Sequence, residues 1–261
     1  MLHLLTKLLT PLLLLAACSS SPPAPAPQTS GCDAGDLQAC TNEGVAAVEQ
    51  GDILRATQLF ESACRGGAAK ACSNRALLES EGIGPAPDPT QARYWFALAC
   101  EADDGMGCQS LGVLTLNGEG GEADPVRARA LFQKACGLSD AMGCSSLGLS
   151  FLQRQGGPGD PTAARAVFEK ACRLEDPAGC AHLGRVYADG LGGPSKPAEA
   201  FRLISKSCED NSEEGCAYLG LLYAKGIGVD QDMERARPLL EEGCATGLEA
   251  ACRALQPAES D

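Results

Sequence analysis

The sequence predicts an all-α chain built as a helical solenoid of about six helix pairs. Three observations predict it. Apart from Cys18, the cysteines form seven C-x7-C pairs, and from Cys64 onward the pairs recur every 36 residues without a slip. Between consecutive pairs lie two stretches of helical periodicity. Only 4% of the residues are aromatic, while Ala, Gly and Leu are plentiful. The interior must therefore come from small side chains at close helix contacts, repeated unit by unit, rather than from one bulky core.

The chain begins with a different kind of segment. Residues 1–17 combine a weakly basic start (His3, Lys7) with an apolar run from Leu8 to Leu15 and small residues after it, the pattern of a secretory leader. The alternative, an uncleaved membrane anchor, needs about 20 apolar residues, more than this run supplies. Leu15-Ala16-Ala17-Cys18 resembles the bacterial lipobox, which implies cleavage before Cys18 and acylation of its thiol; Ser19 in place of Asp implies sorting to the outer membrane. Residues 18–31 then form a Pro/Ser tether that holds no core. The expected order is leader 1–17, lipidated tether 18–31, solenoid 32–256 and acidic tail 257–261.

Within the solenoid, each second helix shows small or apolar residues at offsets 0, 3, 4 and 7, as in Ala92, Trp95, Phe96, Ala99 and Ala128, Leu131, Phe132, Ala135, which makes one apolar face. Its start is marked by Asp88-Pro89, Asp124-Pro125 and Asp160-Pro161. Asp is an N-cap acceptor, and the fixed φ of proline suits the first helical position. Four of the first helices carry a Leu-Gly step: Leu111-Gly112, Leu147-Gly148, Leu183-Gly184 and Leu219-Gly220. There a missing side chain lets the partner helix come close. Glycine pairs, Gly82 and Gly84, Gly118 and Gly120, Gly190 and Gly192, Gly226 and Gly228, break the chain before the next helix. A short closing helix is expected from about Leu248 to Leu255.

These features together, with Val186-Tyr187, Leu222-Tyr223 and the Lys-Ala-Cys ends of second helices, resemble the Sel-1-like repeat family, relatives of the tetratricopeptide repeats, and in particular its cysteine-rich secreted branch typified by the Helicobacter cysteine-rich proteins. The resemblance covers residues 32–256. It implies a right-handed α/α superhelix with a concave face.

Cys32–Cys40, Cys64–Cys72, Cys100–Cys108, Cys136–Cys144, Cys172–Cys180, Cys208–Cys216 and Cys244–Cys252 each join the end of one second helix, or the N-terminal cap, to the first turn of the next first helix. Disulfides there clamp neighbouring units. A metal reading needs closely spaced ligand sets such as C-x2-C, and neither those nor neighbouring histidines are present. Fourteen paired cysteines call for an oxidising compartment. No cofactor or metal is expected.

The formal charge is −13, and −14 once Lys7 leaves with the leader. Such a surface repels nucleic acid and anionic headgroups, so membrane contact is expected through the lipid alone, and a basic protein or peptide partner fits better. A monomer is expected. Catalysis is not expected: after the leader, His182 is the one histidine, which removes Ser-His-Asp and His-ligated hydrolase chemistry. The alternative is a β-lactamase-like or peptidoglycan-directed hydrolase, since some cysteine-rich relatives carry that description, yet no Ser-x-x-Lys motif occurs.

The binding surface is expected on the first helices. Two residues after the second cysteine of each pair stand Asn42, Asn74, Ser110, Ser146, His182 and Tyr218, polar in every unit, with Arg185 and Tyr187 beside them in the fifth. In the family this helix lines the concave face, and an Asn-Leu-Gly asparagine there contacts a bound peptide backbone. Asn42 and Asn74 keep the amide but lack the following Leu-Gly.

Overall fold

The computed structural model describes residues 31–32, 35–83 and 86–256. The leader, Cys18, the tether up to residue 30, Gly84 and the acidic tail lie outside the described residues. Among the described residues thirteen helices follow one another: α1 (Leu37–Glu49), α2 (Ile53–Arg65), α3 (Ala69–Ser80), α4 (Pro89–Glu101), α5 (Gly105–Asn117), α6 (Pro125–Gly137), α7 (Ala141–Leu152), α8 (Pro161–Arg173), α9 (Pro177–Asp189), α10 (Pro197–Glu209), α11 (Glu213–Lys225), α12 (Met233–Ala245) and α13 (Glu249–Leu255). No strand occurs among the described residues. The first twelve helices form six pairs and α13 closes the array, one residue shorter than expected because Leu248 is its N-cap.

The helix starts follow from side-chain chemistry. The Asp88 carboxylate accepts from the Thr90 and Gln91 amides at 3.0 Å, and Asp124 and Asp160 accept from Arg127 and Ala163 at 2.9 Å. Each such cap is worth about 1 kcal/mol. The first helices are capped as well, by Asp104, Asp140, Asp176 and Ser212, each accepting from a glycine amide three residues on. Three first helices end on a left-handed glycine, Gly118, Gly190 and Gly226. At the same register α7 is followed by Arg154, which takes φ +60° itself.

Packing explains the small-residue composition. A side chain at Gly112 or Gly148 would meet the ring of Phe132 or Phe168 at 2.5 or 2.6 Å, so the glycine of each Leu-Gly step receives the large residue of the paired helix. Gly107, Gly143 and Gly179 lie against Ala99, Ala135 and Ala171 of the preceding helix. That second contact draws the first turn of each odd-numbered helix onto the end of the even-numbered one before it, where the cysteines meet. All seven expected disulfides are formed, with Cα–Cα separations of 4.3–4.7 Å. Closing loops of about nine residues, each constrains the unfolded chain by about 2.5 kcal/mol.

Further links recur at the repeat period. Arg129 Nη2 donates to the Ser150 and Gly157 carbonyls, and Arg165 Nη1 to that of Pro194, so even-numbered helices hold the loop of the following unit. Lys134 and Lys170 donate to the carbonyls of Cys100 and Cys136 at 2.6 and 2.5 Å, supplying helix C-termini, whose carbonyls lack donors, with cations. The odd-numbered helices pack on one another from α3 through α13, whereas no pair of even-numbered helices meets to a like degree. The odd-numbered layer is therefore the inner one.

Candidate functional site

The inner face is read off the odd-numbered helices. Residues three, four and seven apart share a helix face, so the polar position two residues after each second cysteine is joined by the positions three and seven further on. The first of these rows is Val45, Leu77, Val113, Leu149, Arg185 and Leu221; the second is Glu49, Glu81, Asn117, Gln153, Asp189 and Lys225. Val45 is exposed and Leu77, Val113, Leu149 and Leu221 are half-buried. The face is thus an apolar floor between two polar rows.

The expected site residues divide into two groups. Asn42 is exposed and accepts from Gln38 Nε2 at 2.9 Å, while Asn74, Ser110 and Ser146 are half-buried. They sit at one register on α1, α3, α5 and α7. His182 and Tyr218 occupy the same register on α9 and α11 but are buried, at 7% and 8% exposure. The His182 ring lies 5.3 Å from Phe168 and 5.9 Å from Tyr218 between centroids, and the Arg185 guanidinium covers Tyr218 at 5.7 Å. These rings fill space between helices. Tyr187 stands apart, turned to α8: its hydroxyl donates to Glu169 at 3.0 Å, with Arg165 and Lys196 over its ring at 4.4 and 4.5 Å. The structure brings His182, Arg185 and Tyr218 together and does not bring Tyr187 to them.

Electrostatics follow burial. Burial pushes the His182 imidazole down to about 4, and the neighbouring Arg185 charge adds to it; the ring is neutral at physiological pH. Burial also raises the phenols of Tyr218 and Tyr187, the latter with help from Glu169. Among the described residues His182 Nδ1 and Arg185 Nε find no hydrogen-bond partner.

Two recesses open in this region. Near the N-terminal end Val45, Val48, Leu77 and Ile83 surround about 220 Å³ above Phe60. Toward the other end Arg185, Asp189, Tyr218, Leu221 and Lys225 line about 180 Å³. The apolar row was not singled out from the sequence, although its members keep the spacing of the polar row. Among the described residues no group of three or more His, Cys, Asp or Glu is placed to hold a metal ion, and no helix is long and apolar enough to cross a membrane.

A profile described as the Sel1 repeat matches residues 39–67, 69–104, 106–140, 141–176, 177–212 and 213–247. The chain belongs to the Sel1 repeat family. The seven disulfides between cysteines eight apart fit the cysteine-rich branch. Among solved structures, c5321, a protective antigen of uropathogenic Escherichia coli with this repeat fold, is similar at 27% identity and a TM-score of 0.69 over 85% of this chain and 48% of that one. This Sel1 chain therefore spans about half the length of the antigen. A Sel1 repeat protein from Oxalobacter formigenes has a TM-score of 0.68 at 21% identity over 82% of this chain and 88% of that one. Helicobacter pylori cysteine-rich protein B is 31% identical over 51% of this chain and 95% of its own, with a TM-score of 0.43. Comparison with curated proteins gave no match. Sel1 repeats are protein-interaction scaffolds in general, and seven disulfides point to an exported, oxidising setting.

Proposed function

We propose that this Sel1 protein is a cell-envelope lipoprotein, cleaved after residue 17 and acylated at Cys18, whose solenoid binds an extended segment of another protein on its inner face. One observation carries the binding reading: the apolar floor of Val45, Leu77, Val113 and Leu149 runs beside the hydrogen-bonding side chains of Asn42, Asn74, Ser110 and Ser146. An extended chain needs both, apolar contacts for side chains and donors or acceptors for its backbone. Arg185 extends the floor with a cation, while His182 and Tyr218 support it from beneath. The outer membrane, facing periplasm or exterior, is the location that Ser19 favours, and residues 18–31 keep the solenoid clear of the bilayer. The unit acts as a monomer, and we assign it no catalytic step.

The test is photocrosslinking in native cells from benzoylphenylalanine placed at Ser110 or Ser146, beside controls at Val126 and Thr162 on even-numbered helices. Adducts of defined mass from the inner positions alone are expected. Equal adducts from both layers, or none from the inner one, would refute the inner-face reading. Anchoring is tested separately by metabolic labelling with a palmitate analogue: label lost in Cys18→Ala is expected, and an unlabelled wild-type chain overturns it.

A further inference from the structure

The recess between α1 and α3 has a composition that the next unit does not repeat. Its walls are Val45, Val48, Leu77 and Ile83, and its volume of about 220 Å³ falls below the roughly 300 Å³ at which small-molecule pockets begin. It fits a single apolar side chain. Two carboxylates, Glu49 and Glu81, stand on its rim, both exposed. Among the described residues neither has a cation within ion-pair distance. In the following unit Asn117 and Glu119 take the register of Glu81 and Ile83, so both the charge and the wall change.

The position of these carboxylates is itself informative. Glu49 is the last residue of α1 and Glu81 is the C-cap of α3. The helix dipole disfavours negative charge at a C-terminus, so both oppose local helix stability without an internal partner to offset it. A cation from outside supplies that partner. The nearest basic residues on α3 do not: Lys70 lies in its first turn, at the far end, and Arg75 is paired with Glu79 and stacked 5.4 Å over Trp95.

We propose that this recess is a docking socket for one large apolar side chain flanked by lysine or arginine in an extended segment of a partner protein. The apolar residue enters between Val45 and Leu77, the flanking cations meet Glu49 and Glu81, and the half-buried Asn74 amide, also lining the recess, is placed to bond the segment's backbone. The proposal rests on the inner-face binding reading and names its partner chemistry.

The test uses the full-length oxidised protein on arrays of immobilised peptides carrying Leu, Ile, Phe or Met between two lysines or arginines. Parallel arrays have Ser or Glu as the flanks. Wild type is expected to be retained on the basic array at least tenfold above the Ser array, and Glu49→Lys/Glu81→Lys to invert the preference toward Glu flanks. The two substitutions put cations at helix C-termini, so thermal stability equal to or above wild type verifies folding. Retention independent of flanking charge, no retention, or an unchanged preference in the reversed variant overturns the socket. A dimer that the charge reversal dissociates also overturns it, assigning the recess to a second copy. Crosslinks from Ser110 and Ser146 that persist beside an unselective array remove the socket and leave the inner-face reading standing; loss of both removes both.

Discussion

Replacing His182 by Phe gives a direct measure of how far the inner face is closed at its C-terminal end. The ring is buried between Phe168 and Tyr218 and titrates at about 4 against an ordinary value of 6.5. Between those two pH values the unfolded chain binds a proton that the folded chain refuses, so stability rises with pH across this window. It is complete above pH 6.5 and lost progressively as the pH falls to 4. A shift of this size corresponds to about 3 kcal/mol, at 1.36 kcal/mol per pKa unit. Phe keeps the ring between its neighbours and takes up no proton. Carboxylate titration affects both proteins alike, so the wild-type minus His182→Phe difference isolates the imidazole. Urea melts followed by far-UV circular dichroism at pH 7, 6, 5 and 4 should show wild type losing about 2–3 kcal/mol more than the variant on acidification. Since His182 is the one histidine after the leader, its NMR titration gives an independent reading. Parallel pH curves, or an imidazole titrating near 6.5, would refute the burial argument and return His182 to the exposed row.

Other residues yield separate tests. Gly148→Leu drives a side chain into the Phe168 ring and should cost about 1–3 kcal/mol, read as a lower urea midpoint, with partial recovery in Gly148→Leu/Phe168→Ala; an unchanged midpoint would contradict the close approach. Arg154→Gly removes a left-handed non-glycine residue at φ +60°. Relief of about 1–2 kcal/mol, less the entropy of a new glycine of about 0.5–1 kcal/mol, predicts a variant more stable by about 0.5–1 kcal/mol, and a lower melting temperature would sink this account. Graded reduction with differential alkylation should label Cys172 and Cys180 before Cys136 and Cys144. The former are half-buried and border a cleft, because Lys206 pairs with Asp210 at 2.8 Å, whereas the latter are buried and Lys170 closes on the Cys136 carbonyl. Simultaneous labelling would contradict the ordering.

Much of the scaffold was legible because its determinants are local and repeated. The cysteine register located every junction, and the Asp-Pro steps at 88, 124 and 160 marked three helix starts where Pro89, Pro125 and Pro161 indeed begin α4, α6 and α8. The caps of the first helices were equally present in the sequence, in Asp104-x-x-Gly-Cys108, Asp140-x-x-Gly-Cys144 and Asp176-x-x-Gly-Cys180. Asp104 and Asp140 lack the proline that follows Asp88, Asp124 and Asp160, so the carboxylate alone marks those two starts. The links from Arg129 and Lys170 into neighbouring units were not legible, since they depend on where a long side chain arrives some 20 to 34 positions away.

The polar row shows why register alone does not define a site. Asn42, Asn74, Ser110, Ser146, His182 and Tyr218 hold one position in six successive units, and polarity makes them look equivalent. Burial separates them, because ring size decides what the space between neighbouring odd-numbered helices can hold. Asn and Ser are too short to span it and remain at the surface. His182 and Tyr218 have apolar bodies that fill it, and α9 and α11, which carry them, are the most closely packed of the neighbouring odd-numbered helices. The two ends of the inner face therefore offer different chemistry: amides and hydroxyls beside an aliphatic floor at α1–α7, with the carboxylates of Glu49 and Glu81 at the ends of α1 and α3, and a rigid aromatic base beneath Arg185 at α9–α11. A ligand crossing all six units is read in a direction, with cations preferred toward Glu49 and Glu81 and the floor's guanidinium met only at the opposite end. Reversing the order of charges along an otherwise identical bound segment should weaken binding, whereas a face that merely attracts positive charge would bind both orders equally.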